Sequence, residues 1–248
     1  MKVGIIGIGS IGGTLARRLA AAGHQVTVAN SRGAKSAQAF ADEIGATAAD
    51  AKGAVAGADI VILSIPLPAL ANLPRDLFDS VPQDVPVVDT SNYYPGMRDP
   101  QIPALDAGEV ESVWVSGQIG RPVIKAFNNI LAYSLAELGQ PKGTPGRLAI
   151  AVAGDEPAHK ALVCDIVDAM GFDPVDAGTL AESWRQHPAT PAYCCDYDAD
   201  TMRKALAQAI PGQAPQTRDY LITQYGSLGQ SPTHQDFIRL NRSANPIN

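Results

Sequence analysis

Residues 1–33 read MKVGIIGIGSIGGTLARRLAAAGHQVTVANSRG, and this stretch decides the fold. The run Val3–Ile8, apolar apart from two glycines, predicts a parallel strand that is buried on both faces. Ser10–Ala22 predicts a helix, which Gly23 ends. Gln25–Ala29 predicts a second strand. The order strand, glycine turn, helix and strand is that of a βαβ unit.

The turn between the first strand and the helix matches the pattern G-x-G-x-x-G, at Gly7-Ile8-Gly9-Ser10-Ile11-Gly12. Between a strand and a helix, this pattern is typical of dinucleotide binding. Gly7 permits a tight turn, Gly9 leaves room for a pyrophosphate, and Gly12 lets the helix pack on the strand. The free N–H groups and the helix dipole then face the phosphates. A turn of this shape that binds nothing is the alternative.

The second apolar run ends at Asn30-Ser31-Arg32 and not at an acid. A site for NAD has a carboxylate here, which accepts hydrogen bonds from the ribose 2′-hydroxyl. A 2′-phosphate would be repelled by that carboxylate. Ser31 can donate a hydroxyl and Arg32 a planar guanidinium to phosphate oxygens, and Lys35 adds a positive charge. The sequence therefore predicts NADP(H) as cofactor, and a merely solvated Arg32 is the alternative.

Short apolar runs and helical stretches continue to alternate until about residue 181. This alternation predicts a doubly wound parallel α/β sheet of the Rossmann type over residues 1–187. No strand pattern follows. We expect helices over Asp198–Ile210 and Gln216–Leu228, and a third that begins at Ser231-Pro232. Residues 188–248 are therefore predicted to form a helical C-terminal extension.

Ser64-Ile65-Pro66 ends the strongest strand pattern, DIVILSI over residues 59–65. Ligands of doubly wound sheets bind beyond the carboxyl ends of the strands, so we expect these three residues at the dinucleotide. A strand end that is marked only by a proline would give the same pattern.

Two later strand ends, DTSN over residues 89–92 and KAFN over residues 125–128, place compact polar groups at the same edge. Asn92 and Asn128 are predicted to hydrogen-bond a carboxamide or a substrate carbonyl, or else to cap turns. Lys125 is a further candidate, as a proton donor. No residue is assigned as catalytic.

Composition narrows the class of protein. A net charge of −6 argues against a general nucleic-acid binder. The sequence has 46% hydrophobic and 18% charged residues, and no apolar run approaches the length of a membrane span. Three cysteines and the lack of a signal-peptide pattern predict a cytoplasmic location. The four histidines have no metal-ligand spacing, so no metal site is predicted.

Several stretches together resemble one family, the deazaflavin (coenzyme F-420)-dependent NADP reductases. They are the opening 33 residues, DIVILSIP, VVDTSNYYP, VIKAFNNILAYSL and AVAGDEPAHKALVCDIVDAMGFDPVDAGTLAESW. The resemblance spans roughly residues 1–185. The chain is also similar to the reductase domain of the six-transmembrane metalloreductases, although it lacks their membrane span.

The resemblance implies hydride transfer between NADP(H) and a deazaflavin or flavin ring stacked on the nicotinamide. By position, it implies that Ser31, Arg32 and Ser64-Ile65-Pro66 hold NADP, and that Asn92 and Ala126-Phe127-Asn128 border the reacting rings. The alternatives are a short hydroxyacid or imine dehydrogenase and a non-catalytic NADP-binding redox sensor. The expected partners are a small-molecule redox substrate and a second copy of the chain, as a homodimer.

Overall fold

The computed structural model describes residues 1–247 of the chain. Its strands are short: β4 to β7 are fully buried, β1 and β2 are buried apart from Lys2, Gln25 and Thr27, and β3 and most of β8 are not buried. They are β1 (Lys2–Ile6), β2 (Gln25–Ala29), β3 (Thr47–Ala48), β4 (Ile60–Leu63), β5 (Val87–Asp89), β6 (Ile124–Lys125), β7 (Ala149–Val152) and β8 (Asp173–Asp176).

The first six strands form one parallel sheet in the order β3-β2-β1-β4-β5-β6. Strand β1 lies in the middle, with Ile5 paired to Val28 of β2 on one side and to Ile62 of β4 on the other. This strand order is that of a Rossmann-type, doubly wound α/β fold, as the sequence predicts. The order reverses between β1 and β4, so the carboxyl ends of these two strands border the crevice where such folds bind ligands.

The edge beyond β6 differs from the predicted all-parallel sheet. Strands β7 and β8 are parallel to each other but form a separate pair. This pair meets β6 through an antiparallel bridge between Lys125 and Ala153, whose backbone N–H groups each donate to the other's carbonyl at 2.8 and 3.0 Å. The chain therefore reverses direction at the edge of the sheet.

Helices cover both faces of the sheet, and a last group follows β8. They are α1 (Ser10–Ala21), α2 (Ala34–Ile44), α3 (Ala51–Val55), α4 (Leu67–Leu70), α5 (Pro103–Asp106), α6 (Glu111–Ile119), α7 (Ala132–Glu137), α8 (Pro157–Ala169), α9 (Ala199–Gln208), α10 (Ala214–Tyr225) and α11 (His234–Ala244). Short 3₁₀ helices span Leu180–Gln186 and Gly226–Leu228.

The core has two main layers because neighbouring residues of each buried strand face opposite sides. Ile5 and Ile62 pack with α1, α2 and α8 on one face. Ile6 and Leu63 pack with α3, α4 and α6 on the other face. Both layers are apolar, which explains why the strands read as continuous hydrophobic runs and not as alternating ones.

The C-terminal helices pack against the β7–β8 pair and the segment that follows it. Met202 and Leu206 of α9 share a buried cluster with Ala151 of β7 and Val175 of β8. Helix α11 is tied down by Asn241, whose Nδ2 donates to the Cys194 carbonyl at 2.9 Å. Helix α9 thus packs on the β7–β8 pair through its own apolar side chains, whereas a hydrogen bond holds α11 to the segment after β8.

The predicted start of the last helix at Ser231-Pro232 is wrong. Helix α11 begins at His234 and is capped by Thr233, whose hydroxyl and backbone N–H both contact Asp236. The threonine and the aspartate three residues later form a reciprocal capping box, which satisfies more backbone groups than a lone serine cap. Ser231 and Pro232 therefore belong to the preceding loop.

Candidate functional site

The glycine turn after β1 is closely packed on two sides and open on the third. Gly7 has a φ of +102°, and a Cβ added there would lie 2.2 Å from the Ser64 carbonyl oxygen. A Cβ on Gly12 would lie 2.0 Å from the Gly7 carbonyl oxygen. A Cβ on Gly9, by contrast, has no other atom of residues 1–247 within 4 Å. The turn therefore leaves an open concavity above Gly9, where a phosphate can approach the backbone.

The start of helix α1 provides donors for that concavity. Gly9 caps the helix without a side chain, and the first backbone bond joins the Gly13 N–H to the Gly9 carbonyl at 2.7 Å. The N–H groups of Ser10, Ile11 and Gly12 precede that bond at the positive end of the helix dipole. An uncapped helix start of this kind is suited to bind a pyrophosphate.

The loop after β2 is organised by Asn30. Its Oδ1 accepts hydrogen bonds from the Arg32 backbone N–H at 2.9 Å and from the Ser36 hydroxyl at 2.7 Å. Ser31 and Arg32 are exposed, as is Lys35 in the first turn of α2. Neither the Arg32 guanidinium nor the Lys35 ammonium forms an ion pair with a described residue. The loop thus presents two free cations beside the glycine turn.

Asn30 also has a side-chain hydrogen-bond donor without a partner among the described residues. Its Nδ2 is buried and has no hydrogen-bond partner among residues 1–247. No carboxylate lies at this position, whereas an NAD site has one that accepts hydrogen bonds from the ribose 2′-hydroxyl. The residues at the end of β2 therefore fit NADP(H), with its additional phosphate, better than NAD(H).

Ser64, Ile65 and Pro66 lie where the sequence predicts, directly beyond β4 and beside the glycine turn. The Ser64 Cβ would be only 2.8 Å from a Cβ on Gly12. All three residues are partly or fully exposed. The structure thus brings the glycine turn, the loop after β2 and the end of β4 to one edge of the sheet.

The residues predicted to border the reacting rings also come together; Asn92 is half-buried, and Ala126, Phe127 and Asn128 are buried. The Asn92 Nδ2 donates to the Asn128 carbonyl, and the Asn128 Nδ2 donates to the Asn92 Oδ1, both at 3.0 Å. Gln186 donates through Nε2 to the Asn128 Oδ1 at 2.8 Å. Ala126 and Phe127 are at most 1% exposed, and Phe127 has a φ of +60°. The hydrogen bonds of these amide groups link the ends of β5 and β6. Contact between these residues and a ligand stays a prediction.

A buried charge cluster lies at the ends of β5 and β6. The Lys125 Nζ is 3.1 Å from the Asp89 Oδ2 and donates to the Ser91 carbonyl at 2.6 Å. Asp89 and Lys125 are both 0% exposed. Asp89 also accepts from the Ser112 hydroxyl at 2.7 Å. Lys125, considered as a proton donor on sequence grounds, is thus held by carboxylate and carbonyl partners inside the protein.

Glu111, the first residue of α6, extends this cluster. Its Oε2 is 3.7 Å from the Lys125 Nζ, and its Oε1 is 3.6 Å from the His187 Nδ1. Burial, together with the charge of Asp89, raises the pKa of Glu111 to about 7 although Lys125 opposes the rise. Burial, followed by the charge of Lys125, holds the pKa of His187 well below its ordinary value. The pair is therefore a carboxyl group that titrates near neutrality beside a neutral imidazole.

Neither Glu111 nor His187 is predicted from the sequence as a site residue. The only local signal is Lys125, a charged residue inside an otherwise apolar strand. A buried lysine needs a carboxylate partner, and that requirement points to acids at neighbouring strand ends. It does not identify Glu111, which is 14 residues away on a different element.

A cavity of about 500 Å³ opens beside Glu111 and His187. It lies between the region of α5 and α6 on one side and the segment that leads into α10 on the other. Tyr93 and Trp184 contribute aromatic rings to its wall. Its volume lies within the range of pockets that hold small organic molecules.

Other kinds of site are not found in the described part of the chain. Residues 1–247 contain no group of three or more His, Cys, Asp or Glu side chains placed to hold a metal ion. The helices within the same range are all too short or too polar to cross a membrane.

Comparison with known proteins agrees with this geometry. Residues 2–93 match the model of the family described as coenzyme F420-dependent NADP oxidoreductases. Protein YjhV of Escherichia coli (strain K12) is 50% identical over 125 residues, which cover 50% of this chain and 84% of YjhV. The chain thus belongs to the coenzyme F420-dependent NADP oxidoreductase family, a family of NADP-dependent oxidoreductases with a Rossmann fold.

Two crystal structures extend the comparison. The hypothetical protein SMa0349 of Sinorhizobium meliloti is 33% identical, with a TM-score of 0.59 over 74% of this chain and 87% of its own. A protein of Arthrobacter sp. FB24, named as an F420-dependent NADP reductase, is 20% identical, with a TM-score of 0.62 over 93% and 96% of the two chains. At that identity, the second likeness is evidence for the fold alone.

Proposed function

We propose that the protein transfers a hydride between NADP(H) and a deazaflavin or flavin-type acceptor. The observation that carries this proposal is the end of β2. There, Arg32 and Lys35 are exposed and unpaired within residues 1–247, and the loop around them is fixed by Asn30. A cationic loop beside an open glycine turn suits a dinucleotide with an additional phosphate.

Different residues would bind different parts of the cofactor. The N–H groups of Ser10, Ile11 and Gly12 would hold the pyrophosphate, and Ser31, Arg32 and Lys35 would hold the 2′-phosphate. Ser64-Ile65-Pro66 would lie along the dinucleotide between these two points. When bound, NADPH supplies the hydride, and the protein contributes the position and the face of the nicotinamide ring.

The acceptor is inferred from the family and from the edge of the sheet. The family description names coenzyme F420, whose reacting part is a deazaflavin ring. Asn92 and Ala126-Phe127-Asn128 lie at the carboxyl ends of β5 and β6, next to the end of β4 in the sheet. Ligands of doubly wound sheets bind at this edge, which supports a ring acceptor there.

The proposal is tested by mixing the protein with NADPH and each of a panel of acceptors, and by monitoring the oxidation of NADPH through its absorbance. The panel comprises a deazaflavin, riboflavin, FMN, a 2-oxoacid and a cyclic imine, each repeated with NADH. We expect oxidation of NADPH with at least one flavin or deazaflavin, and little oxidation of NADH. Turnover with the oxoacid or imine alone would instead favour a dehydrogenase. Tight NADPH binding without turnover of any acceptor would favour a redox sensor.

A further inference from the structure

Backbone strain in the described chain is concentrated in two places. Among residues 1–247, the residues other than glycine with a positive φ are Phe127, Ala189, Cys194 and Asp196. Three of the four lie in residues 189–196, which we call the bent segment. A left-handed backbone is unfavourable for residues that have a Cβ, so it persists only where surrounding contacts hold it. The bent segment must therefore be held in place by its neighbours.

Helix α11 holds the bent segment mainly through polar side chains. Asn241 donates through Nδ2 to one backbone carbonyl at 2.9 Å, and Arg242 donates through Nε and Nη2 to the next two, both at 2.8 Å. The three carbonyls are those of Cys194, Cys195 and Asp196. Within α11, Ile238 is the only apolar side chain that is buried. Two side chains of α11 thus fix three consecutive residues of the bent segment.

The bent segment is also bonded to the connection that follows β6. The Cys194 N–H donates to the Asn129 carbonyl at 3.0 Å, and the Asn129 Nδ2 donates to the Ala192 carbonyl at 3.2 Å. Phe127, the remaining residue with a positive φ, lies in the same connection. Asn129 therefore joins the two strained places of the chain.

Tyr193, inside the bent segment, contacts the residues just beyond β5. Its hydroxyl accepts a hydrogen bond from the Asn92 Nδ2 at 3.4 Å and shares another with the Tyr94 hydroxyl. Asn92 is in turn hydrogen-bonded to Asn128 beyond β6. A continuous chain of contacts thus runs from α11 through the bent segment to the edge of the sheet where doubly wound folds carry out their chemistry.

We propose that Asn241 and Arg242 are positioning residues: they dock α11 on the bent segment, and the bent segment then holds Tyr193 against Asn92 and Tyr94. The consequence for the reaction rests on the proposed function, whereas the coupling between α11 and the end of β5 does not. Hydride transfer requires the reacting atoms to be held at a fixed distance, so a displaced edge should lower kcat. The glycine turn and the loop after β2 are separate from this chain of contacts, so the KM for NADPH should not change.

Hydrogen exchange of the full chain, measured without nucleotide, tests the coupling. Arg242→Ala removes the donors to two carbonyls and should speed amide exchange at least about tenfold in residues 190–197 and also in residues 90–94. Arg239→Ala is the matched control on the same helix. The Arg239 side chain is 72% exposed, and its ion pair is with Asp236, one turn away in α11. This control should leave exchange in both stretches unchanged.

Tyr193→Phe tests the last contact of the chain without altering α11. The variant keeps the ring and removes the hydroxyl, so it also keeps the inference testable if Arg242→Ala does not fold. We expect faster exchange in residues 90–94 and unchanged exchange in α11. Arg242→Lys keeps a cation but not the planar guanidinium, so its exchange should lie between those of the unchanged protein and Arg242→Ala.

Turnover measures the effect of this positioning on the reaction. With an acceptor that oxidises NADPH, Arg242→Ala and Tyr193→Phe should each lower kcat about tenfold to a hundredfold. The KM for NADPH should stay within about twofold of that of the unchanged protein. Arg239→Ala should change neither constant.

Two results would overturn the inference. One is unchanged exchange in residues 90–94 of folded Arg242→Ala, whatever happens in residues 190–197. The other is a kcat of Tyr193→Phe equal to that of the unchanged protein. Failure of the proposed function would appear instead as a lack of NADPH binding or oxidation by the unchanged protein, and the exchange comparison would still decide the coupling.

Discussion

The Lys125 ammonium lies 3.1 Å from the Asp89 carboxylate, and both side chains are completely buried at the carboxyl ends of neighbouring strands. The pair ties β6 to β5 where the edge of the sheet turns antiparallel. It also provides the charge that faces Glu111 on the wall of the cavity. Structural support and the chemistry of the cavity are therefore coupled through this one ion pair.

Removing the lysine charge should be strongly destabilising. Lys125→Met leaves Asp89 buried without its cation, which typically costs about 3–5 kcal/mol in the free energy of unfolding. The double variant Lys125→Met with Asp89→Asn should regain part of that loss, because no isolated charge remains. Urea denaturation measures both changes.

An exposed ion pair provides the control for that experiment. Lys142 pairs with Asp168 at 3.0 Å, but its side chain is 80% exposed. Lys142→Met should therefore change the stability by no more than about 1 kcal/mol. Similar losses for the buried and the exposed lysine would show that the Lys125–Asp89 pair has no special structural role.

Glu111 should make stability depend on pH. Its folded-state pKa is raised, so its contribution is fully present below the ordinary value of 4.5 and is lost as the pH rises through about 7. A shift from 4.5 to about 7 corresponds to roughly 3 kcal/mol. His187 has the opposite sign, since its pKa is lowered, but it is present in both proteins that are compared.

The comparison is between the unchanged protein and Glu111→Gln, by urea denaturation at several pH values between about 5 and 8.5. The unchanged protein should lose stability relative to the variant as the pH increases. A stability difference between the two proteins that stays constant over this pH range would contradict the raised pKa of the buried Glu111 carboxyl group.

Two glycines of the nucleotide turn should respond differently to the same substitution. Gly9→Ala places its Cβ in open space, so stability should change by less than about 0.5 kcal/mol. The added methyl group occupies the concavity for the pyrophosphate, and NADPH affinity should fall at least about tenfold.

Gly12→Ala should damage the fold as well as the site. Its Cβ would lie 2.0 Å from the Gly7 carbonyl oxygen and 2.8 Å from the Ser64 Cβ. Backbone must move to relieve this overlap, which costs about 1–3 kcal/mol. Thermal unfolding and NADPH titration of both variants distinguish the two effects. If Gly9→Ala bound NADPH normally, the pyrophosphate would not lie against the turn.

Much of the six-stranded sheet is predictable because its signals are local. The predicted strand Gln25–Ala29 has the same bounds as β2, and the glycine pattern has the expected turn geometry. The antiparallel attachment of the β7–β8 pair is not predictable in this way. It depends on pairing between Lys125 and Ala153, which are far apart in sequence and carry no pattern that fixes strand direction.

The candidate site likewise has one part that the sequence predicts and another part that it does not. Ser31, Arg32 and the glycine turn lie within one βαβ unit, so their relation follows from spacing alone. Glu111 and His187 come from α6 and from the end of a 3₁₀ helix, and only the tertiary fold brings them to within 3.6 Å. Asn92 and Asn128, which the sequence predicts to hydrogen-bond a ligand or to cap turns, also hydrogen-bond each other, and the sequence does not reveal this pairing of distant residues.

Arg32 should set the preference for the phosphorylated cofactor. A charge-assisted hydrogen bond contributes about 1.5–3 kcal/mol, or roughly tenfold to a hundredfold in affinity. Arg32→Ala should therefore weaken NADPH binding far more than NADH binding. Arg75→Ala, another exposed arginine, should leave both affinities unchanged.

Calorimetric titration of the unchanged protein with NADPH and with NADH tests the central claim most directly. The geometry at the end of β2 predicts that NADPH binds about tenfold to a hundredfold more tightly than NADH. Equal affinities, tighter binding of NADH, or no binding of NADPH would contradict the assignment of this protein as an NADP(H)-binding oxidoreductase.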